Sequence, residues 1–419
     1  MANRQWFYFR IIAACTFFLC TSVVILSQGS ITIGMAYAAQ RYHPHALSWE
    51  SLHSPEQMKQ WEKYRQSERR VAVSKAGVVR LKKSSFFNSK PFQFSTPTFG
   101  DSMIFVGVDA GFFYGVRAEH LKKMWKYKTE GPIQAGASVE NNVVYFGDIK
   151  GHAYALSTAD GREIWKIALD APIYVTPLLL RDRVYFASDS GRLIAVNKTN
   201  GEQIWHSDPI EKSVGFAIKG ASSPVWSNGV ILFGTSTGLL VAYRENGDLA
   251  WVKQLAERQG MFTDLDSKPL LADGRIYVDT ADQKVYCLDQ NRGSVLWSTS
   301  EIGGANNLLL NQNKLYATGA GVLASIDATN GNIIWKQDFE TPEVSSPAIN
   351  QGIVAVVSTK DKLYLVDDQT GDILYDRYVK GGSFGDPIYV EDHLYLISNT
   401  GRLYSFVVRE KPPKKTKGS

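Results

Sequence analysis

The sequence predicts an all-β fold, an eight-bladed β-propeller of four-stranded blades closed by an N-terminal strand. Three observations lead to this prediction. A unit of about 40 residues repeats along the chain, each unit alternates apolar and polar residues as strands do, and almost every unit ends in an aromatic residue. The 35 glycines and the 12% aromatic content are typical of short strands joined by tight turns.

Residues 1–38 are predicted to be a signal peptide or a membrane anchor. Two arginines precede the apolar run 11–26, and Ala-Tyr-Ala follows at 36–38, which is the pattern of a secretory signal. A retained inner-membrane anchor is the first alternative, because residues 11–36 are long enough to span a bilayer. Lipidation of Cys15 is the second, although only four residues separate that cysteine from Arg10. All three interpretations predict an exported chain.

Residues 39–76 are predicted to be a helical adaptor. Ser54 and Pro55 suit the start of a helix, and Met58, Trp61 and Tyr64 recur at helical spacing among charged residues. We expect a solvated helix packed on the flank of the propeller. A helix that binds a partner or a membrane surface is the alternative.

Residues 77–408 carry the repeats, and a basic tail, 409–419, is expected to be disordered. The stretches 144–166, 184–206 and 276–298 align without gaps. The aromatic residues that close the units are Trp125, Trp165, Trp205, Trp251, Trp297, Trp335 and Tyr375. The starts of the eight inner strands are marked by Pro97, Ala137, Pro177, Pro224, Pro269, the region of Leu308, Pro347 and Pro387. Because the last unit has no outer strand of its own, a segment near 78–83 is expected to supply it and to close the ring.

Two neighbouring connections between blades are longer than the others. Twelve residues separate Trp165 from Pro177, whereas Trp205 and Pro224 are 19 apart and Trp251 and Pro269 are 18 apart. The extra residues include 213–220 and 259–266, which mix apolar and charged side chains and are expected on one face of the ring. Such loops are candidate contact sites. The alternative is that their apolar side chains fold down onto the propeller.

Nothing in the repeats indicates catalysis. The net charge of +5 is small and no basic stripe is evident on the folded part, so no nucleic-acid partner is expected. One cysteine, Cys287, lies in the repeats, and the four histidines there lack metal-ligand spacing. A GxSxG match at 234–238 falls at a hairpin turn, where a nucleophile elbow would need a strand followed by a helix. No catalytic residue, metal or cofactor is therefore expected.

The repeat unit resembles the PQQ-like propeller repeats over residues 97–408. That family contains quinoprotein dehydrogenases and non-catalytic scaffolds, and this chain is most similar to the scaffolds, the BamB-like outer-membrane protein assembly factors. Their partner-contacting loop has the pattern Leu-x-Leu-Arg-Gly-x-Ser-x-Pro, and residues 216–224 read FAIKGASSP in the same register. Their second loop carries Asp-x-Asp shortly before a proline, as residues 264–266 do before Pro269.

The resemblance implies a periplasmic scaffold, associated with the outer membrane, that assists the assembly and insertion of outer-membrane proteins. Its implied partners are the periplasmic domains of the β-barrel assembly protein, with unfolded outer-membrane proteins as further clients. The implied partner-binding residues are Phe216, Ile218, Lys219, Gly220, Asp264 and Asp266. Lys219 stands where the family has arginine, which keeps the charge but loses bidentate geometry.

Two other functions stay open at this point. A PQQ-dependent dehydrogenase would use the same fold, but its alcohol-oxidising members are longer and carry adjacent cysteines, which this chain does not. An envelope propeller that binds other partners through other faces would leave the two long connections without a role.

Overall fold

The structure is a computed structural model, and it describes residues 69–82, 95–169, 171–188, 191–210, 221–256, 264–265, 267–281, 284–300, 302 and 307–411. All regular elements in these ranges are β-strands. The predicted signal or anchor segment and the predicted helix start at Ser54 lie outside the described residues.

The strands form eight sheets of four. The first strand is β1 (Val71–Arg80). Blades 1 and 2 comprise β2 (Thr98–Gly100), β3 (Met103–Val108), β4 (Phe112–Arg117), β5 (Lys122–Lys128), β6 (Ser138–Glu140), β7 (Val143–Gly147), β8 (His152–Ser157) and β9 (Glu163–Ala168). Blades 3 and 4 comprise β10 (Leu178–Leu180), β11 (Arg183–Ala187), β12 (Leu193–Asn197), β13 (Gln203–His206), β14 (Val225–Ser227), β15 (Val230–Gly234), β16 (Leu239–Arg244) and β17 (Leu249–Gln254).

Blades 5 and 6 comprise β18 (Leu270–Ala272), β19 (Arg275–Thr280), β20 (Lys284–Asp289), β21 (Val295–Thr299), β22 (Asn307–Asn311), β23 (Lys314–Gly319), β24 (Val322–Asp327) and β25 (Ile333–Asp338). Blade 7 comprises β26 (Ala348–Asn350), β27 (Ile353–Val357), β28 (Lys362–Asp367) and β29 (Ile373–Tyr378). Blade 8 comprises β30 (Ile388–Val390), β31 (His393–Ile397), β32 (Arg402–Glu410) and, as its outer strand, β1.

Each blade is an antiparallel sheet, with consecutive strands in blades 1 to 7, and the prediction of an eight-bladed propeller is confirmed. Six inner strands start directly after a proline, which suits a residue that cannot donate to the sheet ladder. The order of the strands places the connections between blades on the same face as the turns between second and third strands. We call this the top face and the opposite one the bottom face.

The ring is closed by β1, which pairs along its whole length with β32. The sequence predicts this closing strand near 78–83. It instead runs from Val71 to Arg80, so residues 71–76 of the predicted adaptor belong to the propeller. The reason is packing, because Val71 is 7% exposed and joins the apolar core between blades 7 and 8. The pairing ends at Glu410, two residues into the predicted tail.

The core lies between blades, not in one central cluster. Buried strand residues of adjacent sheets pack face to face, as Val106 and Tyr114 of blade 1 do with Tyr395 and Leu403 of blade 8. Every second and third strand is therefore apolar on both faces. Burial of this kind removes apolar surface from water at every seam, which is the main stabilisation of the ring.

Candidate functional site

The connections of ordinary length between blades pack against the top face of the ring. In the connection 169–177 the Ile173 N–H donates to the Asp148 carbonyl (3.1 Å). The Ile173 side chain occupies the space over Gly147, where an added Cβ would lie 2.5 Å from it. Ile133 sits over Gly107 in the same way in the connection 129–137. Each of these isoleucines follows the preceding outer-strand tryptophan by eight residues.

The second long connection, 255–269, ends in the same arrangement. Leu265 lies over Gly234, its N–H donates to the Thr235 carbonyl (3.1 Å), and it is 1% exposed. It follows Trp251 by fourteen residues. The six extra residues of this connection therefore precede Leu265, and from there to Pro269 the connection keeps the ordinary register.

The first long connection, 207–224, is hydrogen-bonded to Gly234 at the same end of β15. Ser222 donates its N–H to the Gly234 carbonyl (3.0 Å), and its Oγ accepts from the Gly234 N–H (2.7 Å). Ala221 forms an isolated antiparallel bridge with Thr235. Ser345 makes the same pair of bonds with Val357 in an ordinary connection, so the extra residues precede Ala221.

Both long connections thus end at one hairpin. Thr235 bridges Ala221 of the first and accepts a hydrogen bond from Leu265 of the second. The turn 235–238 joins two strands of blade 4, so the GxSxG match is a β-hairpin with no following helix. Thr235 was not singled out from the sequence. The sequence could have identified Thr235 from its position in blade 4, the blade that has a long connection before it and another after it.

Most of the predicted partner-binding residues, Phe216, Ile218, Lys219, Gly220 and Asp266, lie outside the described residues. Asp264 is described and is 1% exposed, and its carbonyl accepts a hydrogen bond from the Ala281 N–H (2.9 Å). Its side chain is therefore inside the root of the second long connection and is not accessible to a partner in this conformation.

The predicted aromatic residues form a regular latch across five seams. In each, the tryptophan ring packs against a turn glycine of the next blade, and its Nε1 donates to a carbonyl there. The tryptophan, glycine and carbonyl sets are Trp125 with Gly161 and Thr158, Trp165 with Gly201 and Lys198, Trp205 with Gly247 and Glu245, Trp297 with Gly331 and Ala328, and Trp335 with Gly371 and Asp368. These Nε1–O distances are 2.8–3.2 Å.

The seam between blades 4 and 5 lacks the latch. Gly293 occupies the same turn position as the latch glycines, but no atom lies within 4 Å of a Cβ built on it. No hydrogen bond of the Trp251 indole is present among the described residues. In blade 4, Leu232 of the second strand lies in register with Trp251 of the fourth, with one strand between them. The latched blades have a tyrosine or a phenylalanine at the position of Leu232.

No cluster of three metal-ligating side chains occurs in the described part of the chain. Nor does that part include a helix able to cross a membrane. Cys287 is buried across from Trp297, and burial raises the pKa of its thiol, which makes it a packing residue.

The sequence matches the family model of the outer membrane protein assembly factor BamB over residues 114–320 and 319–410. Among curated relatives, the outer membrane protein assembly factor BamB of Legionella pneumophila is 29% identical over 194 residues, which is 44% of this chain and 50% of that protein. Its Escherichia coli counterpart is 22% identical over 198 residues, 45% of this chain and 50% of that protein. The chain thus spans about half the length of the curated relatives it matches.

Among solved structures, BamB from Moraxella catarrhalis superimposes with a TM-score of 0.69 at 16% identity, covering 80% of this chain and all of the other. A europium-containing methanol dehydrogenase gives a TM-score of 0.66 at 13% identity, covering 80% of this chain and 93% of the other. At these identities the likeness shows the fold alone, because one propeller architecture carries both functions.

Proposed function

This chain belongs to the family of the outer membrane protein assembly factor BamB, and from that premise we propose that it is a non-catalytic periplasmic scaffold in the assembly of outer-membrane proteins. Its binding surface consists of the two long connections of blade 4, residues 207–224 and 255–269. Its partner is a periplasmic domain of the β-barrel assembly protein. Unfolded outer-membrane proteins are further clients.

One observation carries this proposal: the two long connections end at the same hairpin. Because Ser222 is hydrogen-bonded to Gly234 and Leu265 to the adjoining Thr235, the roots of the two connections have fixed positions relative to each other. A binding surface built on fixed roots loses less conformational freedom on association than two unrelated loops would. The ordinary connections offer no comparable extension.

Within this surface, we assign the direct contacts to Phe216, Ile218 and Lys219 of the first long connection. Two apolar side chains beside a cation suit burial in an apolar pocket rimmed by an acid. Because Asp264 is buried, its role is to hold the root of the second connection, and Asp266 is left as the acid that a partner would meet there.

The test is retention of the barrel-assembly protein from solubilised membranes by the purified full chain. The variant Phe216→Ala/Ile218→Ala/Lys219→Glu should lose retention, because truncating a hot spot typically costs about 2 kcal/mol or more. The matched control is Tyr174→Ala/Lys150→Glu, which alters an ordinary connection and its neighbouring turn on the same face. Circular dichroism establishes that both variants are folded.

Three results are informative. Loss in the loop variant alone supports both the function and the surface. Retention by the loop variant shows that the surface lies elsewhere. If the unmodified chain retains no barrel-assembly protein, the scaffold function itself is contradicted, and reduction of a dye by alcohols in the presence of added PQQ then tests the dehydrogenase alternative.

A further inference from the structure

A strip of lysines lies on the outer strand of blade 1, away from the long connections. Strand β5 reads KKMWKYK, and all four of its lysines are exposed. Pairing with β4 places Lys123, Lys126 and Lys128 opposite Val116, Tyr114 and Phe112, so these three lysines share one face of the blade. We call them the lysine strip. The sequence had given no sign of a basic stripe on the folded part, and this is one.

The ammonium groups of the strip contact neutral groups, namely aromatic rings and backbone carbonyls. The three ammonium groups lie over the rings of Tyr114 and Phe112, at 5.9, 5.3 and 4.5 Å from the ring centroids. Lys123 also donates to the Arg80 carbonyl (3.0 Å) and Lys128 to the Ala110 carbonyl (3.2 Å). No ion pair of these three lysines is present among the described residues, so three positive charges stand together without compensation.

The repeat does not require this charge. In blades 2 to 7, the positions equivalent to the strip hold Glu163, Lys166 and Ala168; Gln203 and His206; Leu249, Val252 and Gln254; Val295 and Ser298; Ile333, Lys336 and Asp338; and Ile373, Asp376 and Tyr378. None of these sets contains two lysines. Where blade 2 has a lysine, Lys166, it pairs with Glu130 (2.9 Å). Blade 1 therefore differs from blades 2 to 7 in carrying three lysines on this face, and the outer strand of the neighbouring blade 8 adds Lys75 and Arg80 at the equivalent positions.

The strip borders the strand through which the N-terminal part of the chain enters the propeller. Leu81, directly after β1, accepts a hydrogen bond from the Tyr114 hydroxyl (2.7 Å), and the following Lys82 pairs with Asp109 (2.6 Å). Beside the strip, Met124 is 43% exposed.

We propose that the lysine strip rests on the phosphate headgroups of an anionic phospholipid surface. Lysine suits this role because its compact charge on a flexible stem meets a fluid array of phosphates, whereas paired recognition of a carboxylate favours arginine. Stable attachment to a membrane takes two signals, and a polybasic patch is one of them. The exposed Met124 supplies apolar contact between headgroups.

This attachment would turn the rim at blades 8 and 1 toward the bilayer and leave the top face free. It does not depend on the loop contact proposed above, because blade 1 and the long connections of blade 4 are separate parts of the ring.

The experiment measures partition of the full chain onto vesicles of equal parts phosphatidylglycerol and phosphatidylcholine, and onto vesicles of phosphatidylcholine alone. Binding that does not depend on lipid charge contributes equally to both partitions, so the readout is the ratio of the two partition coefficients. We expect the variant Lys123→Gln/Lys126→Gln/Lys128→Gln to lower that ratio roughly 10- to 100-fold at low ionic strength. The arginine variant of the same three positions should keep it.

The matched control, Lys336→Gln/Lys360→Gln/Lys380→Gln, removes the same net charge from blades 6 and 7 and should leave the ratio within about twofold, because charges far from the surface are screened. Circular dichroism checks the fold of each variant. The proposal is overturned if the strip variant keeps the ratio of the unmodified chain, or if the control variant lowers it equally. It is also overturned if the unmodified chain shows no preference for anionic vesicles, including the case in which the strip captures an acidic protein instead.

Discussion

The seam between blades 6 and 7 and the seam between blades 4 and 5 come from the same repeat but are held differently. In the first, Trp335 is 1% exposed, packs on Gly371 and donates to the Asp368 carbonyl (3.0 Å). In the second, Trp251 is partly exposed, and Gly293 stands clear of any side chain. The second seam relies instead on its apolar core and on the hydrogen bond from the Tyr286 hydroxyl to the Leu255 carbonyl (3.1 Å).

The ring therefore tolerates one seam that lacks the tryptophan latch. A latch on five seams supplies stability that does not depend on any one blade. The unlatched seam is flanked by the second long connection, which has six residues more than an ordinary one. A repeat protein can lose one nearest-neighbour contact locally because its stability is a sum over seams.

The largest expected effect is removal of a latched tryptophan. Trp335→Ala should lower the free energy of unfolding by about 4 kcal/mol, since a large buried ring and its hydrogen bond are lost. Trp251→Ala should cost about half of that, because the ring is partly solvated and makes no latch. Urea denaturation of both variants measures the difference. Equal losses would contradict the distinction between the two seams.

Alanine at the turn glycines gives a smaller but cleaner contrast. Gly371 has φ +81° and a Cβ there would lie 2.7 Å from Cε3 of Trp335, so Gly371→Ala combines backbone strain with a clash. Gly293 has φ +62° and open space. Gly293→Ala should cost only the backbone term, about 1 kcal/mol, and Gly371→Ala at least 2 kcal/mol more. Thermal and urea unfolding report the difference, and a Gly293→Ala loss as large as that of Gly371→Ala would show that Gly293 is packed after all.

Substitution of Ser222 and of Ser345 separates an effect on stability from an effect on binding, because the two serines make the same bonds in a long and in an ordinary connection. Ser222→Ala and Ser345→Ala each leave a buried N–H without its acceptor, so each should cost about 1–2 kcal/mol of unfolding free energy. Only Ser222→Ala loosens a long connection, and only it should weaken retention of the barrel-assembly protein. Side-by-side unfolding curves and pull-downs make the test, and weakened retention in both variants would remove the special role of the blade 4 hairpin.

The smallest effect belongs to the ion pair that secures the closing strand. Arg69 donates to Glu410 (3.0 Å) and lowers the pKa of that carboxyl, which is half exposed. A carboxyl with a lowered folded-state pKa stabilises the protein above its unfolded pKa and loses that contribution as the pH falls through the folded pKa. Glu410→Gln should therefore cost about 0.5 kcal/mol at pH 7, and the cost should vanish toward pH 3. A cost that persists at low pH would point to packing and not to charge.

The sequence predicted the repeat, the blade count and the closing role of an N-terminal segment, because period, turn glycines and strand alternation are all local signals. It did not identify the unlatched seam, since that depends on where the turn of blade 5 lies relative to Trp251. The sequence predicts Asp264 on the surface of a loop. In the structure, Leu265 occupies the position that Ile173 has in an ordinary connection, and the adjacent Asp264 is buried.

The lysine strip could not be predicted from the sequence for a similar reason. Strict alternation along β5 would place Lys122, Met124, Lys126 and Lys128 on one face. The irregularity in register between Trp125 and Lys123 shifts the pattern, and the face that results carries Lys123, Lys126 and Lys128. A single bulge thus decides which charges stand together.

Hydrogen exchange of the full chain, with and without the purified periplasmic domains of the barrel-assembly protein, tests the proposed binding surface on blade 4. We expect the complex to slow exchange in residues 207–224, 255–269 and the turn 235–238. The ordinary connection 169–177 and the outer strand of blade 1 should exchange as before. Protection at other blades, with none in the two long connections, would contradict the claim that blade 4 carries the binding surface.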